Sequence, residues 1–483
     1  MTTFTFTEAR LPGYPGPVNV RVADGVIAAI QPAGSAPVAG EAVRLDGRWL
    51  LPGFWDEHVH FALWAVHSRR LDVSSATSAA QMAHLVSDAV ARLSGRDPLV
   101  AVGFRDALWP DTPHRDLLDA AAGDREVFAV SGDLHCAWLN GAALRRAGRA
   151  GHPTGLLREE ECFAVESILA EVAAARMDEW TAAAAKDAAA RGVTGIVDLT
   201  MEWSRAEWMR RRAAGLDMLR VECGFYAGDL DRAIAEGGRT GDPVEGDPLI
   251  RVGPFKAIVD GSLNTRTAWC FDPYPGLTGA DRCGVESVPY ADLVYQMRRA
   301  ADAGLTPAIH AIGDRAVTSV LDAFAEVGRG GRIEHAQLIQ WPDIDRCADL
   351  GLTASVQPEH AMDDRDVADH YWAGRTDRAF PLASLLRRGV RLALGSDAPV
   401  APLDPWATIA AAVTRGRDGR EPWHPEQAIT VSEAIAASAR GRASITEGMV
   451  ADLQVVERDP LTASGEDLRT MAVAATFIAG RKI

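Results

Sequence analysis

The sequence predicts an α/β fold made of a (β/α)8 TIM barrel, a small discontinuous β-sandwich domain and an insertion after the first barrel strand. Three observations lead to this prediction. Eight apolar, strand-like segments alternate with helical stretches through the middle of the chain. Both chain ends show the alternation and the Gly-containing turns of β-hairpins. Roughly 130 residues separate the first two barrel strands, whereas a βα connection usually has only a few.

The two chain ends predict one β-domain, because both consist of short segments that alternate between apolar and polar residues. The turn at Asp24–Gly25 is typical of a hairpin. We therefore assign residues 1–53 and 430–483 to the β-sandwich and residues 54–429 to the barrel. The long spacing after the first barrel strand places an inserted subdomain at about residues 65–190.

Eight segments have the apolar character of strands that are buried in a parallel sheet. Helical stretches lie between them, including residues 204–214, where Ser204 and Glu207 form a predicted capping box. Strands that alternate with helices imply parallel pairing, and eight such units predict a closed barrel. In chain order the segments are LLPGFWDEH, GVTGIVDL, DMLRVECGFY, IRVGPFKAIVDG, GLTPAIHAIGD, RIEHAQLI, GLTASVQPEH and VRLALGSDAP.

The composition argues against nucleic acids and membranes as partners. The chain has 50 Lys and Arg against 66 Asp and Glu, a net charge of −16, and a negative field repels phosphate backbones and anionic lipids. No secretion-signal pattern or apolar membrane span is recognisable, and the six cysteines have no close pairing. We expect a cytoplasmic protein with a small-molecule substrate, and a homo-oligomer is left open.

Histidines and an aspartate follow several of the predicted strands. His58 and His60 alternate along an extended segment, so their imidazoles point to the same side. His310, His335 and Asp397 also lie where a strand ends, and in a barrel these ends surround the catalytic site. The H-x-H pair alone is equally compatible with ordinary histidines, but the combined set predicts a divalent metal site. Imidazole and carboxylate favour zinc, with manganese or iron as alternatives.

Lys256 lies within the apolar fourth strand. Burial disfavours the ammonium form, and a neutral amine can take up carbon dioxide as a carbamate, which is an anionic ligand that can bridge two metal ions. The alternative is an ion pair with Asp260 or another carboxylate.

The ordered set H-x-H, Lys, His, His and Asp resembles the amidohydrolase superfamily of metal-dependent hydrolases. Within it, the chain resembles the branch that contains N-substituted formamide deformylase, and the similarity extends over almost the whole chain. The segments that carry it are LLPGFWDEHVHF, SGDLHCAWLN, FKAIVDGSLNTRTA, HAIGDRAV, RIEHAQ and LGSDAPVAPLDPW.

The resemblance implies a complete set of metal ligands. It assigns His58, His60 and Asp397 to one metal and His310 and His335 to a second, with Lys256 as a carbamylated bridge. Because some members use a single ion, we expect one or two. His360 also follows a strand, but the resemblance does not make it a ligand.

The expected reaction is hydrolysis of a carbon–nitrogen bond, namely that of an amide in an N-acyl or N-formyl compound. A divalent ion lowers the pKa of bound water to about 7, so that metal-bound hydroxide attacks the carbonyl carbon at neutral pH. Asp397 is the expected catalytic residue, acting first as general base and then as general acid. The same site would also suit a cyclic amide, an ester or a ring amine, and a non-catalytic barrel scaffold is a lower alternative.

Candidates for contact with the substrate lie in the insertion and after the fourth strand. They are Asp133, His135, Trp109, Arg266 and Trp269. Surface positions or packing would explain each of them equally well. Asp56 is a candidate for orienting a metal ligand, and Asp314 is interpreted as a helix N-cap.

Overall fold

The structure is a computed structural model that describes residues 3–35, 38–93, 95–106, 109–132, 136–158, 161–162, 165, 168–169 and 176–483. The chain divides into two compact units, one made of Met1–Phe61 with Ala185–Ile483 and the other of Ala62–Ala184. The predicted domain boundaries, with the insertion at about 65–190, stay a prediction.

The described elements are as follows. The strands are β1 (Thr3–Ala9), β2 (Val18–Ala23), β3 (Val26–Pro32), β4 (Glu41–Arg44), β5 (Trp49–Pro52), β6 (Phe54–Val59), β7 (Leu71–Asp72), β8 (Leu99–Phe104), β9 (Val127–Ser131), β10 (Cys136–Leu139), β11 (Leu156–Arg158), β12 (Val193–Asp198), β13 (Arg220–Tyr226), β14 (Ile250–Ile258), β15 (Pro307–Ala311), β16 (Arg332–His335), β17 (Thr353–Val356), β18 (Arg391–Leu394), β19 (Leu453–Val456), β20 (Val473–Ile478) and β21 (Arg481–Lys482). The helices are α1 (Phe61–His67), α2 (Ala79–Arg92), α3 (Arg115–Ala122), α4 (Gly141–Arg146), α5 (Met177–Ala189), α6 (Arg205–Ala213), α7 (Leu230–Glu236), α8 (Tyr290–Asp302), α9 (Asp314–Val327), α10 (Trp341–Asp349), α11 (Pro358–Tyr371), α12 (Leu382–Arg387), α13 (Pro405–Thr414), α14 (Val431–Ser438) and α15 (Gly465–Arg469).

The barrel consists of eight parallel strands in the order β18-β17-β16-β15-β14-β13-β12-β6. Each of the eight predicted segments supplies one of them. Backbone hydrogen bonds connect the carboxyl end of the first strand with the segment after the last one: Asp397 N donates to His58 O at 2.7 Å and His60 N donates to Ala398 O at 2.9 Å. The predicted TIM-barrel-like fold is confirmed.

All six residues of β6 and of β12 are buried, as expected for strands covered on both faces.

Glycine allows neighbouring barrel strands to approach each other closely. A Cβ at Gly253 would lie 2.3 Å from the backbone carbon of Cys223 in the adjacent strand. Any larger residue there would push β13 and β14 apart.

Helices cover the outside of the barrel with one apolar face each. Helix α8 buries Leu293 and Met297, and α9 buries Val317, Leu321 and Phe324. These side chains belong to the same hydrophobic core as the outward-facing residues of the strands. This packing fixes the strands, and therefore the positions of the groups at their ends.

The two ends of the chain form two further four-stranded sheets, β3-β2-β1-β4 and β21-β20-β19-β5. They share one hydrophobic core, in which Phe6 of β1 meets Phe477 of β20 with ring centroids 5.0 Å apart. The unit Ala62–Ala184 has its own five-stranded sheet, β11-β10-β9-β8-β7, over a core that includes Phe104 and Trp138.

Two local predictions are wrong. Ser204 is the N-cap of α6, but its side chain makes no capping hydrogen bond, so the predicted capping box with Glu207 does not form. The N-cap of α9 is Gly313 rather than Asp314. Asp314 is instead buried and accepts hydrogen bonds from Gln340 and Arg378.

A search of the described helices finds no candidate for a membrane-spanning segment, because none of them is both long and apolar enough.

Candidate active site

The predicted metal ligands meet at the carboxyl end of the barrel. His58 lies near the end of β6, His310 in β15 and His335 at the end of β16. His60 is the residue after β6, and Asp397 is the third residue after β18. Parallel strands bring their carboxyl ends to the same rim, so residues that are distant in the sequence become neighbours here.

Three of these side chains form a compact group. The Nε2 atoms of His58 and His60 lie 3.4 and 3.3 Å from Asp397 Oδ1. All three ligand atoms are within 4.8 Å of one another, and the group could hold a metal ion. His58 and Asp397 are buried, whereas His60 is partly exposed, which leaves one open side.

A second group differs from the prediction. His335 and Asp397 come together with His360, again with ligand atoms within 4.8 Å of one another. His310, which the resemblance pairs with His335, belongs to neither group, although its ring centroid is 4.5 Å from that of His335. The pairing of His310 with His335 around a second ion stays a prediction.

Two of the central residues have a backbone conformation that is rare outside glycine. His335 has φ 73° and Asp397 has φ 57°, both in the left-handed region. Such strain persists only where the surrounding structure enforces it, and it concentrates at functional sites. Here it turns the chain at the ends of two strands, where both side chains enter the site.

Two carboxylates lie against the histidines of the site. Glu334 Oε2 lies 2.7 Å from Nδ1 of His58 within a hydrogen bond, and Asp260 Oδ1 lies 3.1 Å from Nδ1 of His310, which makes no hydrogen bond among the described residues. A carboxylate bound at Nδ1, as Glu334 is at His58, fixes the ring orientation and favours a free Nε2 lone pair, which is the usual support of a metal-binding histidine. The only sequence signal for Glu334 is its place beside His335.

Glu334 is itself held by a chain of buried ion pairs inside the barrel. Arg332 Nε binds Glu334 at 2.9 Å and its Nη1 binds Glu57 at 2.8 Å, while Arg440 bridges Glu57 and Glu222. Burial acts to raise the pKa of Glu334, but Arg332 and His58 outweigh it, so the pKa is far below its usual range. Glu334 is therefore a fixed negative charge behind His58.

Lys256 lies next to the first group, with Nζ 3.4 Å from His58 Nε2. The predicted alternative, an ion pair with Asp260, is wrong, because Asp260 accepts from the backbone amides of Trp269 and Gly313 and faces His310. Among the residues that the structure describes, Lys256 has no carboxylate within ion-pair distance. Burial lowers the pKa of Lys256 to about 8.

Burial and nearby positive groups favour the neutral form of His58 and His335. Burial, with Lys256 nearby, lowers the pKa of His58 to about 4, and burial beside His310 lowers that of His335 well below its usual value. Burial acts in the opposite direction on Asp397, but His58 and His60 outweigh it and hold the pKa of Asp397 well below the usual range. Neutral imidazoles beside an ionised carboxylate are the protonation states that a divalent cation requires.

The other predicted contacts are placed as follows. Asp133 and His135 lie outside the described residues. Trp109 packs in the core of the unit Ala62–Ala184 and donates to Ala76 O, whereas Trp269 stacks under Arg315. Arg266 has φ 60° and lies over the ring of Tyr371. Their contact with a substrate stays a prediction.

Asp56 supports the backbone of the site. Its Oδ1 accepts hydrogen bonds from His58 N at 3.1 Å and Ser396 N at 3.0 Å, and so connects the first and last barrel strands. The sequence prediction that Asp56 orients a metal ligand is compatible with this contact, which acts on the backbone of His58 rather than on its ring.

Fold and site together define a class of protein, and the comparison with known families agrees. The amidohydrolase family matches residues 41–483, so the chain belongs to this family. The protein is therefore an amidohydrolase enzyme, and members of the family generally bind divalent metal ions. The resemblance that the motifs predicted is confirmed.

Individual relatives share the chain over most of its length. The N-substituted formamide deformylase of Arthrobacter pascens is 27% identical to this chain over an alignment 500 residues long. The alignment covers 92% of this chain and 90% of the relative. The Protein LONG AFTER FAR-RED 3 of Arabidopsis thaliana is 26% identical over 494 residues, or 91% and 83% of the two chains. A metal-dependent hydrolase from Pyrococcus horikoshii has the same fold, with a TM-score of 0.78 at 22% identity over 96% of this chain and 99% of that one.

Proposed function

We propose that the protein is a metal-dependent hydrolase that cleaves the carbon–nitrogen bond of an amide, in an N-acyl or N-formyl compound. The observation that carries the proposal is the group of His58, His60 and Asp397 at the carboxyl end of the barrel. The similarity to a formamide deformylase over most of both chains supports the choice of an amide.

The spacing of the three ligand atoms fits a metal ion. Two ligand atoms that are each about 2.0–2.2 Å from a tetrahedral zinc ion lie about 3.3–3.6 Å apart. The two separations from Asp397 Oδ1, 3.4 and 3.3 Å, agree with this spacing. Two imidazoles and one carboxylate favour zinc, with manganese or iron as alternatives.

The proposed ligand set follows the resemblance. His58, His60 and Asp397 would hold one ion, and His310 and His335 would hold a second where two are bound. Lys256 would bridge the two as a carbamate, which is compatible with a buried amine that has no described carboxylate partner. A bound divalent ion would supply an acidified water molecule and polarise a carbonyl oxygen.

The chain's own residues would then manage the proton and the substrate. Asp397 Oδ1 faces the two histidines, so Oδ2 is the oxygen left to accept the proton of the attacking water. After attack, the same oxygen would deliver that proton to the leaving nitrogen. Glu334 would keep His58 oriented throughout, because its charge is fixed by Arg332.

A turnover screen tests the proposal. Protein loaded with zinc or manganese is incubated with N-formyl amines, N-acyl amines, lactams, esters and amino-substituted rings, and product formation is followed by mass spectrometry. We expect turnover of linear N-formyl or N-acyl amides. Turnover confined to lactams, esters or ring amines would instead support the alternative reactions of the same site, and inert metal-loaded protein would support a scaffold.

We propose two further assignments with this function. Residues 54–429 form the catalytic barrel and the two terminal segments form a β-sandwich, as the sequence predicts. The protein acts in the cytoplasm on a small molecule.

Replacing Glu334 by Gln is expected to weaken zinc binding by about 10–100-fold, the usual effect of removing a carboxylate that supports a ligating histidine. The neutral amide of glutamine lacks the negative charge that Glu334 places beside Nδ1 of His58. It also cannot form the ion pair that Glu334 makes with Arg332. Competition with a chelating dye measures the affinity. Glu326→Gln is the matched control, because Glu326 is exposed and pairs only with surface groups. Equal affinities in both variants would contradict the role of Glu334.

A further inference from the structure

His360 is a buried side chain whose free nitrogen faces the candidate active site. The residue is 6% exposed, and its Nε2 lies 3.8 Å from Asp397 Oδ2. Within the described parts of the chain, this Nε2 has no hydrogen-bond partner. A buried polar atom without a partner is costly, so the site is expected to supply one when substrate is bound.

The position of His360 is fixed from several sides. It is the third residue of α11, which starts two residues after β17 ends. The neighbouring Glu359 binds both Arg417, at 2.9 Å, and Arg469, at 2.7 Å. The rings of His360 and His335 are stacked, at 6.0 Å and 15°. A side chain held in this way needs no reorganisation when the reaction begins.

The contact on the other ring nitrogen indicates which atom carries the proton. Gln337 Nε2 lies 3.4 Å from His360 Nδ1, and an amide N–H can only donate. With the Gln337 amide in this orientation, Nδ1 acts as the acceptor and the ring N–H is on Nε2. In this tautomer His360 presents an N–H group to the space beside Asp397.

We propose that His360 donates this Nε2–H to the carbonyl oxygen of the scissile amide and is not a metal ligand. The inference rests on the proposed function and adds a residue that contacts the substrate. As the attacking water adds to the carbonyl carbon, negative charge grows on the oxygen, and a donor fixed beside it binds the transition state more strongly than the ground state. His360 itself neither gains nor loses a covalent bond.

Three variants test the proposal in cobalt-substituted protein. His360→Ala removes the donor, and His360→Gln places an amide N–H near the position of Nε2. His370→Gln is the matched control, because His370 is an exposed histidine of the same helix. The probe is acetohydroxamate, whose carbonyl oxygen stands in for that of the substrate, and its binding is followed by the visible absorption of cobalt.

We expect His360→Ala to weaken acetohydroxamate binding at least about tenfold and His360→Gln to restore much of it. The cobalt content and the visible spectrum of the unliganded variants should equal those of the parent protein. With an amide that the parent protein turns over, kcat should fall by about 10²–10³-fold in His360→Ala, with little change in KM.

Two results would overturn the proposal. A lower cobalt content or an altered spectrum in His360→Gln would make His360 a ligand, together with His335 and Asp397. Equal acetohydroxamate affinity in His360→Ala and the parent protein, or no binding by the parent, would exclude the donor role. Failure of the proposed function gives a different result, because the parent protein would then turn over no amide. The acetohydroxamate measurements do not depend on turnover and still decide the role of His360.

Discussion

Asp397→Asn is expected to reduce kcat by about 10²–10⁴-fold while the protein stays folded, because the amide cannot accept the proton of the attacking water. Asparagine has the same shape as aspartate and tolerates the left-handed backbone conformation, φ 57°, of this position. The backbone hydrogen bond from Asp397 N to His58 O does not depend on the side chain and is retained. The loss should therefore be chemical rather than structural.

The measurement is kcat with the best substrate of the turnover screen, together with metal content and thermal unfolding. Asp418→Asn is a matched control, because Asp418 has the same φ of 57° on the surface. Metal content is needed because a neutral amide is also a weaker ligand than a carboxylate. A variant that retains metal and a tenth or more of the parent kcat would show that another group accepts the proton.

The barrel and the rim position of the site could be predicted because both depend on local patterns. Alternating strands and helices define a parallel barrel, and parallel strands place their ends together. His58, His60, His310, His335 and Asp397 could be placed at one rim on this argument without any structure, whereas their division between metal ions follows only from the resemblance to the amidohydrolase superfamily. The pattern says at which end of the barrel a residue lies, but not which ligand atoms meet there.

The partners across the barrel could not be predicted in the same way. Glu334 meets His58 across 276 positions of the chain, and this contact depends on the curvature of the barrel and on side-chain direction. His360 lies on the first turn of a helix rather than on a strand, so strand periodicity gives no direction for its ring. The sequence around Asp314 predicts an N-cap at this residue, but the helix starts one residue earlier than that pattern suggests.

Lys256→Met is expected to reduce kcat by about 10²-fold or more, the effect of misplacing groups at a reaction centre. Methionine keeps the apolar stem of a buried residue but cannot form a carbamate. In the parent protein the buried amine lies 3.4 Å from His58 Nε2 and is 2% exposed, so a carbamate formed there would place its oxygens among the proposed ligands. The variant should also bind less zinc per chain, since the bridging ligand is lost.

The lysine content makes the carbamate directly observable. The chain's three lysines are Lys186, Lys256 and Lys482, and only Lys256 is buried. Nuclear magnetic resonance of zinc-loaded protein with isotope-labelled bicarbonate should show one slowly exchanging carbamate signal, absent from Lys256→Met and retained in the matched control Lys186→Met. Formate, which has the size of the missing carboxylate group and can supply its oxygens, should restore part of the activity. A parent protein that binds two zinc ions without this signal would show that Lys256 acts as a free amine.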